Sequence, residues 1–254
     1  MLKDFTKEKF DIIIQAGQSN SEGYGFGPTD APYQPDGRVW YLNQDGTITL
    51  AAEKAINNGI QSNFSLSFVR EYLNAGMLPE DRKLLIIRSA VGGTGFLDNR
   101  WKPCDDLFLQ MMEMTRTALA LNPENRLIAL LWHQGETDAG HRATYEQHYN
   151  HLSTLLRLVR ETYNTPDLPF VAGDFVADWK GKNIEVCIPV VDAIRAVCAE
   201  CGNGRFVETA DLKSNLQEGI EHPLGWADDI HFSRRSIYEL GRRYYRAFCE
   251  ITEA

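Results

Sequence analysis

Short apolar segments alternate with segments of helical periodicity along this chain, and this alternation limits the possible folds more than any other feature. The apolar segments are continuous enough to be strands buried on both faces, and we place them at Asp11–Ala16, Leu84–Ser89, Leu127–Trp132, Pro169–Ala172 and Arg205–Thr209. The helical patterns lie at Ser65–Asn74, Leu107–Ala120, Tyr145–Tyr163, Val190–Cys201 and Ser233–Phe248. This order predicts a mainly parallel sheet covered by helices.

The length of the chain favours one domain. We expect its 254 residues to form a single α/β domain over residues 1–254. The segment from Gly23 to Asn63 is rich in Gly, Pro, Asn and Asp, and we interpret it as an irregular excursion that contributes to the binding face.

Charge and hydropathy exclude several classes of partner. Acidic residues outnumber basic ones 35 to 26, giving a net charge of −9, and no basic block is present. These features argue against nucleic acid and anionic membranes as partners. No apolar run approaches the roughly 20 residues of a membrane span, and no signal peptide is evident, so we expect a cytoplasmic protein.

The cysteines predict neither a disulfide framework nor a metal site. Five cysteines are an odd number in a chain of this size. Cys198 and Cys201 form a C-x-x-C pair, but no second pair completes a zinc site. We expect ordinary thiols and no metal or cofactor.

Two predicted strands end in polar or glycine-rich segments. The first strand runs into "AGQSN", where Ser19 can present its hydroxyl at the edge of the sheet. Alternatively, Ser19 and Glu22 form a capping box. The second strand ends in "GGTG", Gly92 to Gly95, whose backbone N–H groups can face a substrate oxygen or simply form a turn. This segment lacks the spacing of phosphate and dinucleotide loops.

Two later segments concentrate catalytic residue types. "WHQGETD" follows the third strand and carries an amide, Gln134, that can donate to an oxyanion and a carboxylate, Glu136, that can orient a histidine. The alternative is that Glu136 and Asp138 only cap the next helix. In "DDIH", Asp228 and His231 are three residues apart, which lets a carboxylate contact the imidazole Nδ1 while Nε2 faces a nucleophile. Alternatively, His231 is a solvated residue before the last helix.

Taken together, these blocks resemble those of the SGNH hydrolases, and within them the sialate O-acetylesterase-like and acetylxylan-esterase-like carbohydrate esterases. The matching blocks are G-Q-S-N at residues 17–20, G-G-T at 92–94, W-x-Q-G-E at 132–136 and D-x-x-H at 228–231. They occur in the same order and cover nearly the whole chain. The resemblance implies a flavodoxin-like three-layer α/β/α sandwich.

The resemblance also implies roles for individual residues. Ser19 would be the nucleophile, His231 the general base and then acid, and Asp228 its partner, with Glu136 as a rival for that position. The oxyanion hole would combine the backbone N–H groups of Ser19 and Gly93 with the Gln134 side chain. Further substrate contacts are expected from Gln18, Asn20, Thr94 and Trp101. Of the tryptophans in loop-like segments (40, 101, 179 and 226), each could stack on a sugar or simply pack.

The expected reaction is metal-independent removal of an O-acetyl group from a small sugar through an acyl-enzyme. Acetylated xylo-oligosaccharides are the first expectation for the substrate, and 9-O-acetyl sialic acid is the alternative. Two other classes of function stay open. A metal-dependent hydrolase could draw ligands from His133, Glu136, Asp138, His141 and Asp228, and a non-catalytic carbohydrate-binding protein could keep the same fold.

Overall fold

A seven-stranded sheet forms the centre of the computed structural model, which describes residues 4–56 and 59–253. Its order is β3 (Ile48–Leu50), β2 (Val39–Leu42), β6 (Arg82–Arg88), β1 (Lys9–Gly17), β7 (Arg126–His133), β8 (Phe170–Gly173) and β9 (Gly204–Val207). All neighbours are parallel except β3, which runs antiparallel to β2. Outside this sheet, β4 (Lys54–Ile56) and β5 (Gly59–Gln61) form an antiparallel pair.

Helices cover both faces of the sheet. The helices are α1 (Ser19–Glu22), α2 (Phe64–Asn74), α3 (Asp106–Ala120), α4 (Glu136–Gly140), α5 (Tyr145–Thr162), α6 (Ala177–Lys182), α7 (Ile184–Glu200) and α8 (Arg234–Thr252). Because side chains alternate along a strand, Ile12 and Ile14 pack with α3, α5 and α7, whereas Ile13 packs with α2 and α8. The predicted three-layer α/β/α sandwich is therefore confirmed. No helix among the described residues is long and apolar enough to cross a membrane.

The predicted strands and helices are present, with differences at their ends. Each of the five predicted strands lies within two residues of its observed bounds. The prediction for α7 began six residues too late, because that helix accommodates Pro189 within its first two turns. Residues 23–63 are less irregular than predicted, since they contain β2, β3 and the β4–β5 pair. Trp40 consequently lies in β2, and Trp179 lies in α6.

The topology brings three of the sequence blocks to one edge of the sheet. Strands β6, β1 and β7 are adjacent and parallel at its centre. Their carboxyl ends therefore lie side by side, and each is followed by one block: Gly92–Gly93, Gly17–Asn20 and Gln134–Glu136, respectively. This edge is where α/β sheets bind ligands.

Candidate active site

Ser19 lies at a tight junction between β1 and α1. The last residue of β1, Gly17, has φ +128°, and a Cβ at this position would lie 2.1 Å from the His133 carbonyl oxygen. Only glycine permits this approach of the ends of β1 and β7. The Gln18 N–H then donates to the same carbonyl at 2.9 Å. Ser19 follows as the first residue of α1 and is 6% exposed.

The capping-box alternative for Ser19 is wrong. The N-cap of α1 is Gln18, and no side chain caps this helix. Glu22 instead accepts a hydrogen bond from the Gly92 N–H, at 2.8 Å from Oε2. The Ser19 hydroxyl is therefore not used in capping.

Ser19, His231 and Asp228 form a continuous hydrogen-bonded row. The Ser19 Oγ lies 2.8 Å from His231 Nε2, and Asp228 Oδ1 lies 2.8 Å from His231 Nδ1. The same Asp228 oxygen accepts from the His231 backbone N–H at 3.1 Å. A carboxylate at Nδ1 favours the tautomer with its proton there, which leaves the Nε2 lone pair to the serine hydroxyl. This geometry suits proton abstraction from Ser19.

Asn215 holds Asp228 in place. Its Nδ2 donates to Asp228 Oδ2 at 2.7 Å and to the Tyr24 carbonyl at 2.9 Å. Its Oδ1 accepts from the Phe26 N–H at 3.1 Å, and its own backbone N–H donates to the His231 carbonyl at 2.9 Å. Asn215 could not be identified from the sequence, because it lies in a segment without periodicity or a motif. It acts as a positioning residue.

The structure places Glu136 beside Asn20 rather than beside His231. Asn20 Nδ2 donates to Glu136 Oε1 at 2.8 Å and to the Ile230 carbonyl at 3.0 Å, while its Oδ1 accepts from the Phe232 N–H at 3.1 Å. Among the described residues, Asp228 is the carboxylate within 4.0 Å of the His231 ring. Burial raises the pKa of Glu136 above its ordinary value. Asn20 thus clamps the loop that carries His231.

An open cleft of about 510 Å³ surrounds Ser19. Gly93, with φ +69°, lines it, and none of the described residues accepts a hydrogen bond from the Gly93 N–H. Gln18 also lines the cleft; its Oε1 accepts from the Thr137 N–H at 3.1 Å, and none of the described residues accepts from its Nε2. Both donors are therefore available to a ligand.

The structure does not bring Gln134 to this cleft. Gln134 is 0% exposed, and its Nε2 donates to Asp138 Oδ2 at 2.9 Å and to the Thr94 carbonyl at 3.3 Å. Its amide N–H groups are therefore already used inside the protein. The oxyanion role of Gln134 stays a prediction that requires these contacts to change.

Thr94 and Trp101 also lie away from the cleft, and the structure gives both a packing role. Trp101 is 0% exposed, packs edge-on against Trp132 at 5.2 Å between ring centroids, and donates from Nε1 to Thr94 Oγ1 at 2.9 Å. The Thr94 hydroxyl donates in turn to the Val91 carbonyl at 2.7 Å. Because neither side chain has a free polar atom or ring face, neither contacts a substrate in this arrangement.

Two aromatic side chains border the histidine. The Tyr24 ring stacks on His231 at 4.8 Å between centroids, and Trp226 lies 5.9 Å away while remaining 40% exposed. Tyr24 lines the cleft and was not identified from the sequence. Its ring covers one face of the imidazole and Trp226 borders it, which limits access of water to the His231 ring.

The candidate metal ligands do not form a metal site in the described part of the chain. Across residues 4–56 and 59–253, no group of three or more His, Cys, Asp or Glu side chains is arranged to hold a metal ion. Asp138 instead accepts hydrogen bonds from the backbone N–H groups of Phe96 and Leu97 and from Gln134 Nε2. All five cysteines are free thiols.

A serine hydroxyl, an imidazole and a carboxylate in one row are the arrangement of serine hydrolases, and here it lies at the sheet edge of an SGNH-like sandwich. The family model described as "carbohydrate esterase, sialic acid-specific acetylesterase" matches residues 9–250. The chain therefore belongs to this family of carbohydrate esterases. It is a carboxylic ester hydrolase that acts on O-acetylated carbohydrate.

Individual proteins are similar to this chain in sequence or in fold. A curated protein of Escherichia coli (strain K12), "Probable 9-O-acetyl-N-acetylneuraminic acid deacetylase", is 24% identical over 221 residues, covering 66% of this chain and 68% of the relative. The crystal structure of NanS is similar in fold with a TM-score of 0.81 at 20% identity, covering 97% of this chain and 98% of NanS. The protein AT4G34215 of Arabidopsis thaliana gives a TM-score of 0.70 at 19% identity, covering 94% of this chain and 98% of that structure.

Proposed function

We propose that this protein is a sialate O-acetylesterase that releases acetate from a sialic acid acetylated on its glycerol side chain. Two findings support this substrate over acetylated xylo-oligosaccharides, our first expectation from the sequence. The matching family is described as sialic acid-specific, and the E. coli relative is named a probable 9-O-acetyl-N-acetylneuraminic acid deacetylase. We therefore propose O-acetylated sialic acid, and not acetylated xylo-oligosaccharides, as the substrate.

The observation that carries the mechanism is the 2.8 Å contact between Ser19 Oγ and His231 Nε2. His231 removes the proton as Ser19 Oγ attacks the acetyl carbonyl, and Asp228 stabilises the imidazolium that forms. The tetrahedral intermediate then collapses, breaking the bond to the sugar oxygen, which takes the proton from His231. Water, deprotonated by the same histidine, hydrolyses the acetyl-enzyme and regenerates Ser19 with release of acetate.

The oxyanion of the intermediate needs donors at the floor of the cleft. The Ser19 and Gly93 N–H groups are two candidates from the sequence. The Gln18 amide is a further candidate, because its Oε1 is anchored on the Thr137 N–H and its Nε2 is left for the cleft. Gln134 would have to give up its contact with Asp138 to contribute.

Acetate release from two substrates tests the proposal. Wild-type protein should give a higher kcat/KM on 9-O-acetyl-N-acetylneuraminate than on acetylated xylo-oligosaccharides. Ser19→Ala should lose about 10³-fold or more in kcat on the better substrate while keeping its melting temperature. The matched control is Ser21→Ala, because Ser21 lies in the same short helix and its buried Oγ has no partner among the described residues.

The two parts of this proposal fail separately. A preference for xylo-oligosaccharides would overturn the substrate and leave the mechanism standing. Retention of more than about one-tenth of kcat in Ser19→Ala would overturn the mechanism, because a protein without its nucleophile cannot form the acetyl-enzyme.

A further inference from the structure

A second cavity, of about 300 Å³, lies next to the Ser19 cleft. We call it the Arg88 cavity; its polar lining includes Gln15, Asn43, Gln44, Lys54, Asn63 and Arg88. Glu22 lines both this cavity and the cleft. A Cβ on Gly92 would lie 3.3 Å from Glu22 Oε2 and 3.4 Å from Ser19 Cβ, so the dividing carboxylate is close to the nucleophile. The cleft and the cavity are therefore neighbours with Glu22 as a shared wall.

Arg88 is a half-buried cation that has no carboxylate partner among the described residues. Its guanidinium stacks on the Tyr41 ring at 4.9 Å to the centroid, and its Nη2 donates to the Glu22 carbonyl at 2.7 Å. Among the described residues, no carboxylate lies within 4.0 Å of it, whereas the buried Arg82 and Arg234 contact Asp11 and Glu53. Nε and Nη1 of Arg88 are left without a described acceptor. Nη2 has a second N–H, so the guanidinium can still bind a carboxylate with two hydrogen bonds, one from Nη2 and one from Nε or Nη1.

Other groups in the cavity suit a sugar acid. Gln15 Oε1 is buried and has no partner among the described residues, so it can accept from a sugar hydroxyl. Lys54 is a second cation in the cavity wall; it is exposed and has no carboxylate within 4.0 Å in the described part of the chain. The two acidic residues that line the cavity already accept hydrogen bonds, Glu22 from the Gly92 N–H and Asp45 from Thr47. Each of these carboxylates thus has a donor from the protein, whereas Nε and Nη1 of Arg88 have no acceptor among the described residues.

We propose that the Arg88 cavity binds the carboxylate of the acidic sugar while its acetylated end occupies the Ser19 cleft. This inference rests on the proposed function, because a sialic acid carries its carboxylate at the opposite end from the 9-hydroxyl. A neutral acetylated xylo-oligosaccharide has no group for Arg88. The cavity therefore provides a physical basis for choosing acidic over neutral sugars.

The test compares 9-O-acetyl-N-acetylneuraminate with its C1 carboxamide, which has the same acetyl group and no negative charge. Wild-type kcat/KM should be roughly 10- to 100-fold higher for the acid, mainly through KM, as expected for loss of a charge-assisted contact. In Arg88→Gln this ratio should fall close to one. Arg142→Gln is the control, because Arg142 is exposed, lines neither the cleft nor the Arg88 cavity, and also has no carboxylate partner among the described residues; it should keep the wild-type ratio.

Each alternative outcome has a distinct meaning. If Arg88→Gln lowers kcat/KM equally for both sugars, Arg88 only supports the Glu22 turn and the proposal is overturned. Equal use of acid and carboxamide by the wild type, a comparison that needs no variant, overturns it as well, while sialate esterase activity stands. If the wild type releases acetate from xylo-oligosaccharides and from neither sialate, the proposed sialate substrate is wrong. The proposal for Arg88, which rests on that substrate, is then overturned with it.

Discussion

Replacing Asp228 with asparagine should prevent His231 from acting as a base while keeping the size and shape of the side chain. Asp228 accepts three hydrogen bonds, two at Oδ1 from His231 and one at Oδ2 from Asn215. An amide cannot accept at both positions. If its NH₂ faces Asn215, two donors meet at 2.7 Å; if its NH₂ faces His231, the imidazole must move its proton to Nε2, where it points at Ser19.

The loss should be large, because the second arrangement removes the lone pair that receives the serine proton. We expect kcat to fall by about 10⁴-fold, the effect of the wrong histidine tautomer in a serine hydrolase, which corresponds to about 5 kcal/mol of transition-state stabilisation. KM should change little, since Asp228 is fully buried and does not line the cleft.

The matched comparison is Glu136→Gln. Glutamine Oε1 can still accept from Asn20, and burial, which raises the pKa of Glu136, already disfavours its charged form, so loss of the charge should cost little. We expect less than about tenfold loss of kcat. Acetate release and thermal melting should be measured for both variants. A larger loss of kcat from Glu136→Gln than from Asp228→Asn would show that the carboxylate assignment is wrong.

Three further predictions concern residues around this row. Asn215→Ala should lower kcat by about tenfold and also the melting temperature, because it leaves Asp228 Oδ2 without its donor; unchanged kcat would contradict the positioning role. Gln134→Ala should mainly lower the melting temperature, since its amide serves Asp138 and Thr94; a 10²-fold loss of kcat at constant KM and melting temperature would instead place it in the oxyanion hole. Burial lowers the pKa of His133 to about 3, so between pH 6.5 and 3 the unfolded chain binds the extra proton and stability falls as pH falls. His133→Asn should reduce the difference in unfolding free energy between pH 7 and pH 5, measured by urea unfolding. An unchanged difference would refute this prediction.

The sequence predicted how the site assembles because the rule that places it is topological. Parallel strands that are neighbours in the sheet present their carboxyl ends at one edge, so blocks after β6, β1 and β7 meet whatever their separation in the chain. The three-residue spacing of Asp228 and His231 is likewise local, and a single turn brings the carboxylate to the imidazole. Features fixed by such short-range or topological rules can be recognised without a structure.

The directions in which side chains point, and the contacts between residues far apart in the sequence, could not be predicted in the same way. Gln134 and Trp101 are in or near the recognised blocks, yet their side chains point into the core, and no pattern of residue types determines which way a turn faces. Asn215 contacts Tyr24, which lies 191 positions away in the sequence. Arg88 has no carboxylate partner among the described residues, and this depends on where the fold places every acidic side chain. These properties follow from the packing of the whole chain.

The G-Q-S-N block illustrates how one short motif can hold distant parts of a site together. Gly17 lets the ends of β1 and β7 approach, and Gln18 then fixes the start of α4 through the Thr137 N–H. Ser19 contacts the histidine, while its neighbour Asn20 binds the residues on either side of that histidine, Ile230 and Phe232. Ser19 and the His231 loop are thus positioned by adjacent residues of one turn, so a displacement of this loop relative to Ser19 must break hydrogen bonds at Asn20. The loop after β9, which has little regular structure of its own, is held in register with Ser19 by this coupling.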